Sequence, residues 1–286
     1  MFLYPYYNIL FYSVNADLGH YELFCNKTII LAKAKNLCYD IRKSDSLLLC
    51  ESNRCFRKKY SDRKGYYRMK NILCFGDSNT WGYDYTTYDP ALGSGRRMDF
   101  DTRWPGIVQK NLGSEYRIIE DALNARTNMV DDPYFPHRLG LHSLEVALDA
   151  QAPLDLVVIQ MGVNELKHMF NLTAGMIAFG VEKLVAAAQQ SYYGYPVPKV
   201  LLIAPAPVKK DIADMIFGFS YGPLAYDKSM ELGKLYKDIA DRYGCGFIDC
   251  AVLDFEINTL DGLHYSKADH AKLAVAVTEK IKEMLD

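Results

Sequence analysis

Ser78, Asp261 and His264 are the residues of this chain whose types and spacing could do chemistry together. Ser78 lies in Gly76-Asp77-Ser78-Asn79, directly after the apolar run Ile72-Leu73-Cys74-Phe75. An apolar run ending in Gly reads as a buried strand entering a tight turn, and such a turn holds a hydroxyl at the carboxyl edge of a sheet, where open α/β sheets place their sites. A serine becomes a nucleophile only beside a general base that is itself oriented. Near the C-terminus, Asp261-Gly262-Leu263-His264 supplies both, a histidine to take the proton and an aspartate to hold the imidazole. Such a trio attacks acyl carbonyls.

Two further blocks follow strand-like runs. Leu123-Asn124-Ala125-Arg126-Thr127 comes after Tyr116-Arg117-Ile118-Ile119, and Gly162-Val163-Asn164-Glu165 comes after Leu156-Val157-Val158-Ile159-Gln160-Met161. Four blocks in this order resemble the SGNH (GDSL-type) hydrolases, and the words Thr80-Trp81-Gly82, Arg103-Trp104 and Asp131-Asp132-Pro133 resemble their arylesterase and acyltransferase branch. The resemblance covers about Met69 to Leu285. It implies Ser78 as nucleophile, His264 as base and Asp261 as its orienter, with an oxyanion hole made by the backbone N–H groups of Ser78 and Ala125 and the side-chain amide of Asn164. The family usually has Gly where this chain has Ala125, and a backbone donor survives that change unless the turn requires positive φ, which alanine disfavours. The family also tends to have Asp where this chain has Glu165, which reads as a difference in local hydrogen bonding.

The activity implied is hydrolysis of small or aryl carboxylic esters through an acyl-enzyme, needing no cofactor and no metal, with alcohols or peroxide competing with water for the acyl group. A carbohydrate acetylesterase would use the same residues on a polar substrate. A non-catalytic binding domain would be favoured by loss of one of the three, and none is lost. Asp77 is expected to hold the turn rather than react. His137, His142, His168 and His270 are expected on the surface or in loops. Gly218-Phe219-Ser220-Tyr221-Gly222 fits the Gly-x-Ser-x-Gly pattern, but Ile212-Ala213-Asp214-Met215 before it is no buried strand and Pro223 follows at once, so it reads as a loop at the site mouth. Its aromatics, with Trp81 and Phe170, are assigned to the acyl pocket.

The elements that position these residues alternate from Lys70 onward, the pattern of a parallel sheet covered on both faces. Strands are expected over Ile72–Phe75, to about Asp121, over 156–161, at Lys199–Ala204 and at Gly246–Asp249, with a long loop from Gly82 to Asp101 after the first. Helices are expected after Thr102 as cap with Pro105 in the first turn, over Leu141–Ala150 with Leu141, Leu144, Val146 and Leu148 inward, over Thr173–Gln190, over Tyr226–Tyr243, and from Ser266 as cap to Leu285. Five strands with intervening helices predict a flavodoxin-like three-layer α/β/α sandwich with a five-stranded parallel sheet, which is also the fold the resemblance implies.

Composition divides the chain. Of 286 residues half are apolar, enough for one large core, and the net charge of −2 argues against a nucleic-acid partner. Residues 1–68 carry +6 and the remainder −8. Seven cysteines without metal-ligand spacing point to free thiols and a reducing, cytoplasmic compartment. The apolar stretch from Phe2 to Val14 has no basic residue before Lys27 and is too short to span a bilayer, so no membrane partner is expected. The partner is a small-molecule ester, and the oligomeric state, a homo-oligomer included, is left open by the sequence.

Residues 1–68 match nothing, show no sustained period and are more than half Phe, Tyr, Asn, Ile, Lys or Leu, residues whose codons dominate AT-rich DNA. The codons of Arg63-Lys64-Gly65 can form a purine run like a bacterial ribosome-binding site, three codons ahead of Met69. The expectation is that residues 1–68 are a spurious upstream translation or a disordered extension, and that residues 69–286 form the working domain. A small basic docking domain is the rival. Residues 69–286 expressed alone should be soluble with undiminished esterase activity; insolubility or lost activity would show that the segment belongs to the fold.

Overall fold

The computed structural model describes residues 68–286 throughout and, within residues 1–67, the backbone of five strands. The chain divides into two units, Met1–Tyr67 and Arg68–Asp286. In the first, Leu10–Asn15, His20–Cys25 and Thr28–Lys33 form one antiparallel sheet, and Leu37–Tyr39 pairs with Leu49–Glu51. The expectation that residues 1–68 are not part of the working protein otherwise falls outside the described residues.

In the second unit, five runs become parallel strands, the central ones rich in aliphatic residues: β1 (Lys70–Gly76), β2 (Tyr116–Ala122), β3 (Leu156–Gln160), β4 (Lys199–Ala204) and β5 (Gly246–Asp249). Their order across the sheet is β2-β1-β3-β4-β5. Parallel neighbours cannot be joined by hairpins, so helices make the crossovers. These are α1 (Trp104–Leu112), α2 (Gly140–Ala150), α3 (Ala174–Ala188) and α4 (Ala225–Tyr243), with α5 (Lys267–Leu285) closing the chain. Strand side chains alternate between the two layers. Leu73, Phe75, Val157, Ile159 and Leu202 pack with α2, α3 and α4, whereas Ile72, Cys74, Val158, Leu201 and Ile203 pack with α1 and α5. Each fully buried Leu, Ile or Val gains ~1.5–3 kcal/mol over exposure. The result is the expected three-layer sandwich.

The strand order reverses direction at β1. The chain leaves β1 for β2 on one side and returns to β3 on the other, so the carboxyl ends of β1 and β3 flank the crevice where such sheets bind ligands. Ser78 follows β1 and Asn164 follows β3. No helix among the described residues is long and apolar enough to cross a membrane.

Several local expectations are corrected. The stretch from Gly82 to Asp101, read as a loop, contains an antiparallel hairpin of Tyr83–Asp89 with Ser94–Arg97. Val146 is 68% exposed, because α2 turns only Leu144, Ala147 and Leu148 fully inward. Thr102 is not the cap of α1: the cap position is Arg103 and makes no side-chain cap bond. The reason lies in His270, which is wholly buried on α5 rather than at the surface. Its Nδ1 accepts the Trp104 N–H at 3.2 Å and so caps α1 from another helix. Ser266 does cap α5, in a reciprocal box with Asp269.

Burial pushes the His270 imidazole down to about 4. The folded protein therefore holds it neutral, whereas the unfolded chain takes up its proton below about 6.5, so this contribution to stability is complete above the unfolded value and is lost as pH falls toward 4. The loss should approach about 3 kcal/mol. Urea unfolding at pH 7 and pH 4.5 checks it: His270→Gln, whose carboxamide oxygen can accept the same N–H, should lose less stability on acidification than the parent. Equal losses would contradict it.

Candidate active site

β1 closes on Gly76, where nothing larger fits; a Cβ would lie 2.1 Å from Thr80 Oγ1. Asp77 then caps a single helical turn, Ser78–Trp81, its Oδ1 accepting the Asn79 N–H at 3.0 Å. Its carbonyl accepts from Thr80 and Trp81 at 3.1 and 2.9 Å. Asp77 thus holds the turn, as its type suggested. Burial pushes its carboxyl up to about 6. Ser78 occupies the first helical position, where a backbone N–H has no acceptor within the helix and points out of its end.

The second component is a loop that Asn258 and Asp261 organise. Asn258 Oδ1 accepts the N–H groups of Leu260 and Asp261, both at 2.9 Å, and its Nδ2 donates to Asp261 Oδ1 at 2.6 Å and to the His264 carbonyl at 2.8 Å. Asp261 Oδ1 also accepts the N–H groups of Leu263 and His264, both at 3.0 Å. Gly262 makes this tight return with a φ of +73°. With Oδ1 saturated, Oδ2 faces His264 Nδ1 at 2.8 Å. Burial raises the Asp261 carboxyl, but the imidazole and the two N–H groups outweigh it and hold the group at about 2.

These two loops meet through Asn79. Its Nδ2 donates to the Leu263 carbonyl at 3.2 Å and its Oδ1 accepts the Tyr265 N–H at 3.0 Å, gripping the backbone on both sides of His264. His264 Nε2 consequently stands 2.8 Å from Ser78 Oγ. Since Nδ1 donates to a carboxylate, Nε2 is left bare and can accept the serine proton. Tyr83 stacks on the imidazole, ring centroids 4.2 Å apart, and fixes its plane. Beneath, Thr80 Oγ1 donates to Gln160 Oε1 at 2.9 Å and Gln160 Nε2 donates to Tyr265 Oη at 3.1 Å, tying the turn to β3 and to the histidine loop.

Ser78 and His264 open into a cavity of about 570 Å³ whose wall also includes Ala125 and Asn164. Ala125 has a φ of 60°, so the turn does require the left-handed region, a conformation that costs an L-residue ~1–2 kcal/mol. The turn's own bond runs from the Arg126 N–H to Leu123 O and leaves the Ala125 N–H unused. Asn164 Nδ2 donates one hydrogen to Arg126 O at 3.0 Å and keeps the other. Arg126 itself is buried, its guanidinium donating to Gly76 O at 3.2 Å and Asp121 O at 2.6 Å, which fastens this loop to the ends of β1 and β2. Bare N–H groups, an amide hydrogen and a hydroxyl beside a base could together drive addition to a carbonyl and hold the negative oxygen that results.

Trp81 and Phe170, expected in the pocket, are not among its lining residues. Trp81 instead lies beneath the Arg97 guanidinium, 5.3 Å from its ring centroid. The aromatic residues of the wall are Tyr83, Tyr134, Phe135, Phe217, Phe219 and Tyr221. Gly218–Tyr221 is a short helical turn rather than a loop, at the cavity wall as foreseen. His168, expected on the surface or in a loop, also lines the cavity. Asn79 and Arg126 stand inside motif blocks with no role assigned to them, while Asn258 lies three residues before Asp261 and Tyr83 directly after Thr80-Trp81-Gly82, and only that neighbourhood could have drawn attention to these two. Among the described residues, no three or more His, Cys, Asp or Glu side chains gather so as to hold a metal ion.

The profile of the GDSL-like Lipase/Acylhydrolase family matches residues 74–272. No match to a curated protein accompanies it. Among solved structures, Est24, a carbohydrate acetylesterase from Sinorhizobium meliloti, is 35% identical over 76% of this chain and 100% of its own, with a TM-score of 0.68. The native M. smegmatis aryl esterase is 34% identical over 76% of this chain and 100% of its own, with a TM-score of 0.69. A lipase/acylhydrolase from Enterococcus faecalis, 21% identical over 76% of this chain and 98% of its own at a TM-score of 0.54, shares the fold. With its motif blocks, its sandwich and this match, the chain belongs to the GDSL-like lipase/acylhydrolase family, the SGNH hydrolases.

Proposed function

We propose that the protein is a serine esterase that cleaves small or aryl carboxylic esters through an acyl-enzyme on Ser78. The contact of Ser78 Oγ with His264 Nε2 at 2.8 Å, inside a cavity that also holds Ala125 and Asn164, carries this reading. Ser78 Oγ attacks the ester carbonyl while its proton passes to Nε2. Asp261 holds the ring and stabilises the imidazolium. The N–H groups of Ser78 and Ala125 and the Asn164 amide meet the oxyanion. Collapse expels the alcohol, which takes the proton from Nε2. Water then attacks the acyl carbon, its proton going to Nε2, and the serine is restored as the acid leaves.

The aromatic walls support apolar or aryl groups in the cavity, and the M. smegmatis aryl esterase is so named. A second reading, deacetylation of carbohydrate, is supported by the polar part of the same wall, with Lys167 paired to Asp132 at 2.6 Å and Asn124, Ser94 and His168 nearby, and by the name of Est24. Since an acyl-enzyme is consumed by whichever nucleophile reaches it, alcohols or peroxide would compete with water for the acyl group. Cys74, Cys245 and Cys250 are free thiols, which supports work in a reducing, cytoplasmic compartment.

Ser78→Ala and His264→Ala should each lower kcat at least ~10³-fold without loss of the fold, and the double variant should be no worse than either alone, because the two act as a unit. Activity of Ser78→Ala within tenfold of the parent would exclude the serine route. Asn164→Ala should lower kcat ~10²- to 10³-fold with KM little changed, as expected of a donor acting in the transition state; a pure KM effect would make it a binding residue instead. Chromogenic aryl acetates compared with acetylated sugars decide the substrate class, and added alcohol should divert acyl groups to a new ester without slowing release of the first alcohol. Preference for acetylated sugars by kcat/KM would favour the second reading.

A further inference from the structure

Glu165 follows Asn164 in the short turn Asn164–Leu166 and is wholly buried. One carboxyl oxygen, Oε1, accepts the Asn128 N–H. The other, Oε2, is buried with no hydrogen-bond partner. Asn128 is fixed in its turn, donating from Nδ2 to the Ile177 carbonyl at 3.0 Å and accepting the Met129 N–H at 2.6 Å. Two residues earlier, Arg126 O takes the Asn164 amide at 3.0 Å. The strap from Ala125 to Asn128 is therefore fastened to the Asn164 turn at two points, one of them Glu165, and the Ala125 N–H lies at its end.

We propose that Glu165 is a positioning residue that acts as a neutral carboxylic acid, setting the Ala125 strap against Asn164 while keeping negative charge away from the developing oxyanion. This rests on the ester-hydrolase reading of the same site. The titratable groups near enough to act electrostatically on Glu165 are Asp77 from the nucleophile turn, Lys167 from its own segment, Tyr221 from the short helix and Tyr236 from α4. Lys167 is already committed to Asp132 at 2.6 Å, and Asp77 opposes a second negative charge. Burial pushes the Glu165 carboxyl up to about 8, against the pull of the Asn128 N–H. The proton rests on Oε2, leaving Oε1 to accept. Ionised, the side chain would be an uncompensated anion one residue from an oxyanion donor, in surroundings that screen it poorly.

The test is the pH dependence of kcat and KM for p-nitrophenyl acetate from pH 6 to 9.5, spontaneous hydrolysis subtracted, in the full chain, Glu165→Gln and Glu165→Ala. The parent should lose kcat above about pH 8. Glu165→Gln, an isostere of the neutral acid, should stay within threefold of the parent at pH 7 and hold its kcat above pH 8, whereas Glu165→Ala should lose ~10-fold or more in kcat with KM within twofold. A glutamine variant as poor as the alanine variant, or one sharing the parent's alkaline fall, would overturn the proposal. Thermal unfolding gives a readout independent of activity. Between the unfolded value near 4.5 and the folded value near 8 the native state keeps a proton that the unfolded chain has lost, so the parent loses stability as pH rises through that window and Glu165→Gln does not. The Tm advantage of Glu165→Gln should grow by several degrees from pH 5 to pH 8.5; a constant difference would refute the neutral acid. A parent that hydrolyses no ester would sink the esterase reading, and the melting comparison would still judge Glu165.

Discussion

The site depends on a carboxamide that performs no chemistry. Asn79 joins two loops that lie 184 residues apart in sequence, donating to one side of His264 and accepting from the other. A hydroxyl–imidazole contact needs its partners placed to within fractions of an ångström, and neither loop alone fixes that distance. A buried amide with both ends satisfied fixes it, because shifting either loop would leave a donor or acceptor unpaired at a cost of about 1–3 kcal/mol each. The Asp77 cap, the Asn258 knot and the Tyr83 stack each rigidify one side of that joint.

The sheet supplies the frame. A strand order that reverses at β1 brings the carboxyl ends of β1 and β3 together, so the Ser78 turn and the Asn164 turn share a crevice though 86 residues separate them. Arg126 spans the third edge by binding the carbonyls at the ends of β1 and β2. The backbone there is strained rather than relaxed: Ala125 at a φ of 60° keeps its donor in a conformation that glycine would adopt more readily. The surrounding hydrogen bonds to Arg126 and Asn128 hold that conformation in place.

Strands and long helices were legible in the sequence because their signals are local and periodic. The run Leu156-Val157-Val158-Ile159 is aliphatic end to end, as a strand covered on both faces tends to be. The motif residues were legible because each follows such a run. What stayed hidden depends on partners remote in sequence. His270 looks like any helical histidine until α1 places the Trp104 N–H against it. The aromatic residues of the cavity could not be chosen from thirteen phenylalanines and twenty-two tyrosines without the topology, and Trp81 was misassigned because adjacency to the nucleophile says nothing about which way a side chain turns from a helical turn. The hairpin after Gly82 was hidden by its polar, weakly alternating composition.

The central claim is that Ser78 is the nucleophile. Its most direct measurement is covalent capture: inactivate the protein with an organophosphonate ester mimic, digest it, and locate the adduct by mass spectrometry. The account predicts one adduct per chain, on Ser78, appearing in step with loss of esterase activity and failing to form in His264→Ala. An adduct on Ser220, or full inactivation with Ser78 unmodified, would contradict it.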